Sequence, residues 1–144
     1  MRDSEKYESL KQVKMLGSLG DAELWALAKA GQWNRVNANQ VIIGESERSD
    51  RLYFLAKGEA KVTKRGRLLN VIRAGEFFGE MSFISGGALP RQATVESVSE
   101  LLVAAFDRAA IERINAMSQL RFVWALLHNV VDRLALADTR LAQA

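Results

Sequence analysis

The sequence predicts a mainly β protein with flanking helices, an α+β chain built around an eight-stranded antiparallel β-roll or jelly roll. Three observations predict it. Helix-spaced apolar residues occupy both ends of the chain, short Val-, Leu- and aromatic-rich runs fill the middle, and no helical pattern separates those runs. Parallel strands need crossovers of a dozen or more residues, usually helices. Short strands joined by regular turns point instead to a sandwich or barrel. With 144 residues the chain has the size of one domain. The expected division is N-terminal helices over 1–31, the β-roll over 32–106 and C-terminal helices, one of them long, over 107–144.

At the N-terminus Leu10, Val13 and Leu16, then Leu24, Leu27 and Ala28, keep helical spacing. Gly17 and Gly20 are expected to divide this region into two pieces, with Asp21 as the N-cap of the second and Gly31 as its stop. From Trp33 to Phe106 the runs VIIGE, RLYFLA, EAKVT, LLNVI, ATVESV and ELLVAAF read as strands. The segments SERSD, AKG, KRGR and SGGALP read as turns, with Arg65-Gly66 a tight hairpin. Helical spacing returns at DRAAIERINA, which opens on an acidic cap at Asp107. A longer helix is expected over 118–142. There Leu120, Trp124, Leu127, Val131, Leu134 and Leu141 step by three and four, or by seven across Asp138. Such a stripe either packs on its own domain or also pairs with a second copy.

About half the residues are apolar, enough for a genuine core. The net charge of +3 permits an anionic ligand but does not indicate nucleic acid. The absence of cysteine excludes disulfides and thiolate metal sites, and the single histidine, His128, excludes a multi-histidine centre. The charged start, MRDSEKYESLKQVK, is unlike a signal peptide, and the apolar run FVWALLHNVV is too short to span a bilayer. A soluble, cytoplasmic protein without a membrane partner is expected. Basic residues from Lys57 to Arg73 face only Glu59, which reads as a solvated hairpin face.

The chemically informative stretch is GEFFGEMSFISGGALPRQATV, residues 75–95. It places an acid, Glu80, and a base, Arg91, among glycines, apolar residues and the chain's only proline, Pro90. Either the two form a buried structural ion pair, or they line a pocket for a ligand carrying hydroxyls and negative charge. Ion pairs of the first kind seldom stabilise a domain. In the second reading Gly79 lets a ligand approach the backbone, and a short helix over MSFIS offers unpaired N–H groups to an anion. Arg91 can clamp a phosphate with two parallel hydrogen bonds. The Glu80 carboxylate, purely an acceptor, would repel phosphate and suits a sugar hydroxyl. The constellation asks for a sugar phosphate.

These residues resemble the phosphate-binding cassette of cyclic nucleotide-binding domains, found in catabolite-activator-type regulators, kinase regulatory subunits and gated channels. The pattern G-E-F-F-G-E-M-S followed by P-R-x-A-T-V carries the resemblance, which extends over nearly the whole chain. It implies that Glu80 accepts from the ribose 2′-hydroxyl and Arg91 binds the cyclic phosphate. Backbone N–H groups near Ser82 and Gln92 would complete the seat, beside Gly79 and Met81 on one side and Pro90 and Ala93 on the other. It implies that the terminal helix is a lid or a dimer interface. Polar residues of that helix would reach the base, which places Ala137, Asp138 and Thr139 nearby; Asp138 also reads as a plain exposed residue.

Three departures from the family pattern stand out. Gln92 follows the arginine where a threonine accompanies cGMP preference, so its presence leans to cAMP. Ser46-Glu47 stands where Gly-Glu is expected, or else Gly44-Glu45 is a shifted version of that pair. The cassette is one residue longer through Gly86-Gly87-Ala88-Leu89. The expectation is therefore a regulatory sensor with cAMP, or else cGMP, as its ligand and no other cofactor or metal. It would signal to a protein partner, or within a homodimer, through the 118–142 helix. A ligand-free scaffold, or a piece of a DNA-binding regulator without its helix-turn-helix, is the alternative. Direct DNA binding is not expected of a chain ending at Ala144, and no nucleophile–base pair suggests an enzyme.

Overall fold

The computed structural model describes residues 1–143. Helix α1 (Asp3–Lys11), a 3-10 turn (Lys14–Leu16) and α2 (Asp21–Ala30) open the chain. The apolar positions expected here are all buried: Leu10, Val13, Leu16, Leu24, Leu27 and Ala28 are at most 5% exposed. The break falls earlier than the glycines suggest, since α1 already closes at Lys11. Gly20, not Asp21, is the N-cap of α2. Asp21 is the first helical residue, and its carboxylate accepts a 2.6 Å hydrogen bond from the Tyr7 hydroxyl. Gly31 does end α2, but in an extended conformation, not a left-handed one. Its glycine is explained by packing: a Cβ there would lie 2.8 Å from the Phe106 ring.

Eight strands follow: β1 (Gln32–Val36), β2 (Val41–Ile43), β3 (Leu52–Lys57), β4 (Glu59–Lys64), β5 (Arg67–Arg73), β6 (Phe77–Phe78), β7 (Thr94–Ser97) and β8 (Leu101–Phe106). They form two four-stranded sheets, ordered β1-β8-β3-β6 and β2-β7-β4-β5, with every pairing antiparallel. This is the expected jelly-roll architecture. The β4–β5 hairpin turns at Arg65 and Gly66, both with positive φ, as a two-residue turn matched to strand twist requires.

Apolar burial is divided between two clusters. Ile43, Leu55, Ala60, Ile72, Phe78, Val95, Leu101 and Val103 pack between the sheets. Phe54, Phe77, Ala104 and Phe106 pack on the other face of the first sheet, against the N-terminal helices and Phe122. Strand β8 faces both clusters, which is why its sequence, LLVAAF, is a continuous apolar run with every residue buried.

Helix α3 (Glu80–Ile84) lies between β6 and β7, and α4 (Arg108–Glu112) is capped as expected, the Asp107 carboxylate accepting from Ala110 N–H at 2.7 Å. The long helix α5 (Ala116–Gln143) begins two residues before the predicted start, because the Asn115 side chain caps it by accepting from Ser118 N–H at 2.9 Å. Its packed face is Ser118, Phe122, Ala125 and Leu126. The three-four stripe does not pack on its own domain: Leu120, Trp124, Leu127, Val131, Leu134 and Leu141 are 45–74% exposed. No helix among the described residues is long and apolar enough to cross a membrane.

Candidate functional site

The segment between β6 and β7 forms the wall of a cleft whose floor is the inner face of the second sheet. Gly79 turns the chain with a φ of 83°. A Cβ there would lie 2.8 Å from Arg91 Nη1 and 3.1 Å from the Arg51 carbonyl oxygen, so only glycine lets the arginine reach this backbone. α3 follows, beginning at Glu80. At its far end Arg108 Nη1 donates to the carbonyls of Phe83 at 3.3 Å and Ile84 at 3.1 Å. Gly86 and Gly87, both with positive φ, then reverse the chain, and Gly87 N–H reaches the Ser82 carbonyl at 2.9 Å.

Arg91 is 5% exposed and held on every side. Its N–H donates to the Glu47 carbonyl at 2.7 Å, and its own carbonyl accepts from Ser46 N–H at 2.9 Å. Nη1 donates to the Gly79 carbonyl at 3.2 Å and Nη2 to the Arg51 carbonyl at 2.8 Å. The guanidinium lies 5.9 Å from the centre of the Tyr53 ring. Burial pulls this group below the usual arginine range, while Tyr53, Glu47, Asp50 and Glu80 push it back up. Two of its five N–H groups serve the backbone, leaving others for an anion. Ser46, standing where a glycine was expected, adopts a φ of 73°. That conformation costs a non-glycine residue about 1 kcal/mol, and here it is part of the loop that fixes Arg91.

The cleft encloses about 330 Å³, within the range of small-molecule sites. Gly79, Glu80, Met81 and Ser82 line one side; Pro90, Arg91, Gln92 and Ala93 line the other. The structure thus gathers every cassette residue singled out in the sequence. The Gln92 amide turns back onto the Pro90 carbonyl at 2.9 Å. Ile43, Val62, Ile72, Phe78 and Val95 make an apolar floor, joined by Leu69 and Asn70, residues to which the sequence reading gave no role at the site.

Asp138 is not brought to the cleft; it is exposed on α5, beyond the residues that line it. The α5 residue that does reach it is Arg133, which donates from Nη1 to the Glu80 carboxylate and from Nη2 to the Phe77 carbonyl at 2.8 Å. The sequence reading gave Arg133 no role at the site. No local signal marked it, since its arrival depends on how α5 docks on the roll. Two arginines against one glutamate leave the cleft with a positive excess, suited to an anion. A larger groove, about 680 Å³, runs between the 3-10 turn and α5. Its charges (Lys14, Glu76, Asp132 and Arg133) are mixed and dispersed, and no buried arginine anchors it.

The sequence model described as "Cyclic nucleotide-binding domain" matches residues 33–117. The chain is similar to the cAMP-dependent protein kinase regulatory subunit of Yarrowia lipolytica, 36% identical over 107 residues, covering 73% of this chain and 28% of that one. It spans about a quarter of the length of the curated relatives it matches. Among solved structures it resembles a cyclic nucleotide-binding domain from Methylobacillus flagellatus KT. The TM-score is 0.83 at 23% identity, covering 99% of this chain and 84% of that one. It also resembles the catabolite activator protein of Thermus thermophilus. There the TM-score is 0.74 at 26% identity, covering 89% and 61%.

Proposed function

Because the chain belongs to the cyclic nucleotide-binding domain family, we propose that it binds a cyclic nucleotide, with cAMP favoured over cGMP, as a sensor that signals through α5. The observation that carries this reading is the meeting of Glu80 and the buried Arg91 in one cleft of nucleotide size. In it Arg91 turns its spare N–H groups to the cyclic phosphate, a fixed positive charge already desolvated and oriented. Glu80 accepts from the ribose hydroxyl. Gly79 brings the ligand close to the backbone, and the apolar floor takes the base. The two charged groups have separate duties, so neither has to neutralise the other.

Signalling follows from Arg133. It ties α5 to the same Glu80 carboxylate that the ribose would use. A ligand that competes for or reshapes that contact favours one pose of α5 over another, and only such a difference can move the helix. Gln92, in place of the threonine that accompanies cGMP preference, supports cAMP, as does the similarity to cAMP-dependent kinase regulatory subunits. The reading is of a binder and not a catalyst: the cleft presents no nucleophile paired with a base. The unpacked stripe of α5 supports a second element, pairing with another copy of the chain or with a protein partner.

The test is calorimetric titration with cAMP and with cGMP after denaturing and refolding to strip carried-over nucleotide. The expected result is one saturable site per chain with tighter cAMP. No heat and no shift in melting temperature with either nucleotide would leave α5 pairing as the function.

A further inference from the structure

The floor of the cleft carries one polar side chain in a telling place. Cross-strand register aligns Ile43 with Val95, Val95 with Val62, and Val62 with Asn70. These four residues make a single row across all four strands of the second sheet, and all four line the cleft. Three are apolar and β-branched. The fourth, at the β5 end, is an amide.

The local backbone turns this amide toward the cleft. Val62 pairs with Asn70 and Thr63 with Leu68, so Leu69 is an extra residue, a β-bulge. The bulge lets consecutive residues, Leu69 and Asn70, line the same cleft. Among the described residues the Asn70 side chain has no internal hydrogen-bond partner, and the residue is exposed. Strands spaced about 4.8 Å apart put β5 roughly 10 Å across the floor from β7, the strand that Arg91 leads into. That is the reach from the phosphate of a nucleotide to the far edge of its base.

We propose that Asn70 reads the base, favouring adenine through its N6/N7 edge. This rests on the reading of the cleft as a cyclic nucleotide site. A carboxamide offers one donor beside one acceptor. Adenine presents the complement there, the N7 acceptor beside the N6 amino donor, whereas guanine presents two acceptors, N7 and O6. The amide oxygen would then face the guanine O6 with no proton between them. Leu69 and Val62 supply flat apolar contact to the ring, and Asn70 supplies the discrimination.

The test titrates refolded parent, Asn70→Ala and the isosteric Asn70→Asp with cAMP, cGMP and 7-deaza-cAMP. The parent is expected to bind cAMP about tenfold more tightly than 7-deaza-cAMP, which lacks the N7 acceptor. Asn70→Ala is expected to lose about tenfold in cAMP affinity, bind cAMP and 7-deaza-cAMP alike, and change little toward cGMP. Asn70→Asp, which keeps the shape but removes the donor, should lose cAMP affinity too. Equal loss for cAMP and cGMP, or unchanged cAMP binding by both variants, overturns the role of Asn70 alone. A parent that binds none of the three overturns the functional reading and this inference with it.

Discussion

A buried guanidinium is costly unless its hydrogen bonds are met, and Arg91 meets that cost locally, with the Gly79 and Arg51 carbonyls and the Tyr53 ring. Truncating it removes the proposed phosphate contact and leaves those two carbonyls without their donor. Arg91→Ala is expected to weaken cAMP binding roughly a hundredfold, about 3 kcal/mol, as read by calorimetry. Glu80→Ala is expected to cost less, about tenfold, since the ligand would lose one hydroxyl contact and keep the partner of its phosphate charge. Parental affinity in Arg91→Ala would remove the phosphate role altogether. Both residues were readable from sequence because they sit in one short segment with Gly79 and Pro90. Arg133 was not, because its arrival at Glu80 depends on how α5 docks, which no local pattern encodes. Asn70 was hidden for a related reason: its row neighbours come from three other strands.

The helices show where local rules suffice and where they stop. The Asp107 cap and the Arg65-Gly66 turn follow from backbone chemistry alone and appear where expected. The role of Asp21 does not, because Tyr7 comes from a different helix. Its hydroxyl donates to Asp21 while its ring stacks on Trp25, centroids 4.7 Å apart. That hydrogen bond first, then burial, holds the Tyr7 proton and raises its pKa to about 12. The unfolded value is near 10, so the contribution is full below about pH 10 and is lost as pH rises toward 12. Urea unfolding across that range should show the parent losing stability more steeply than Tyr7→Phe. Parallel curves would mean that Asp21 does not hold the proton.

The whole chain divides into a shielded β-roll and a helix that is only half packed. The 28 residues of α5 bury Phe122, Ala125 and Leu126 and leave the heptad-spaced stripe open. In sedimentation the parent is expected to run as a dimer, and Leu127→Asp with Leu134→Asp as a monomer. The melting temperature of the monomer should change little, because both side chains are largely exposed and neither belongs to the buried core. A monomeric parent would make the stripe a docking face for a different protein. The spacing of the stripe was plain in the sequence, but its exposure was not, since an amphipathic pattern does not say which neighbour covers it.

The strand order has a further consequence, for the birth of the molecule. β1 pairs with β8, Gln32 against Ala105, so the first sheet cannot close until its last strand has been made. The N-terminal helices, whose apolar faces rest on that sheet, must wait with it. Pairings this distant in sequence are slow to find, typically milliseconds to seconds. A ribosome therefore exposes most of this chain before its first sheet can close, and the nascent protein passes through a window of unpaired strand edges, the condition in which chains aggregate or need chaperones.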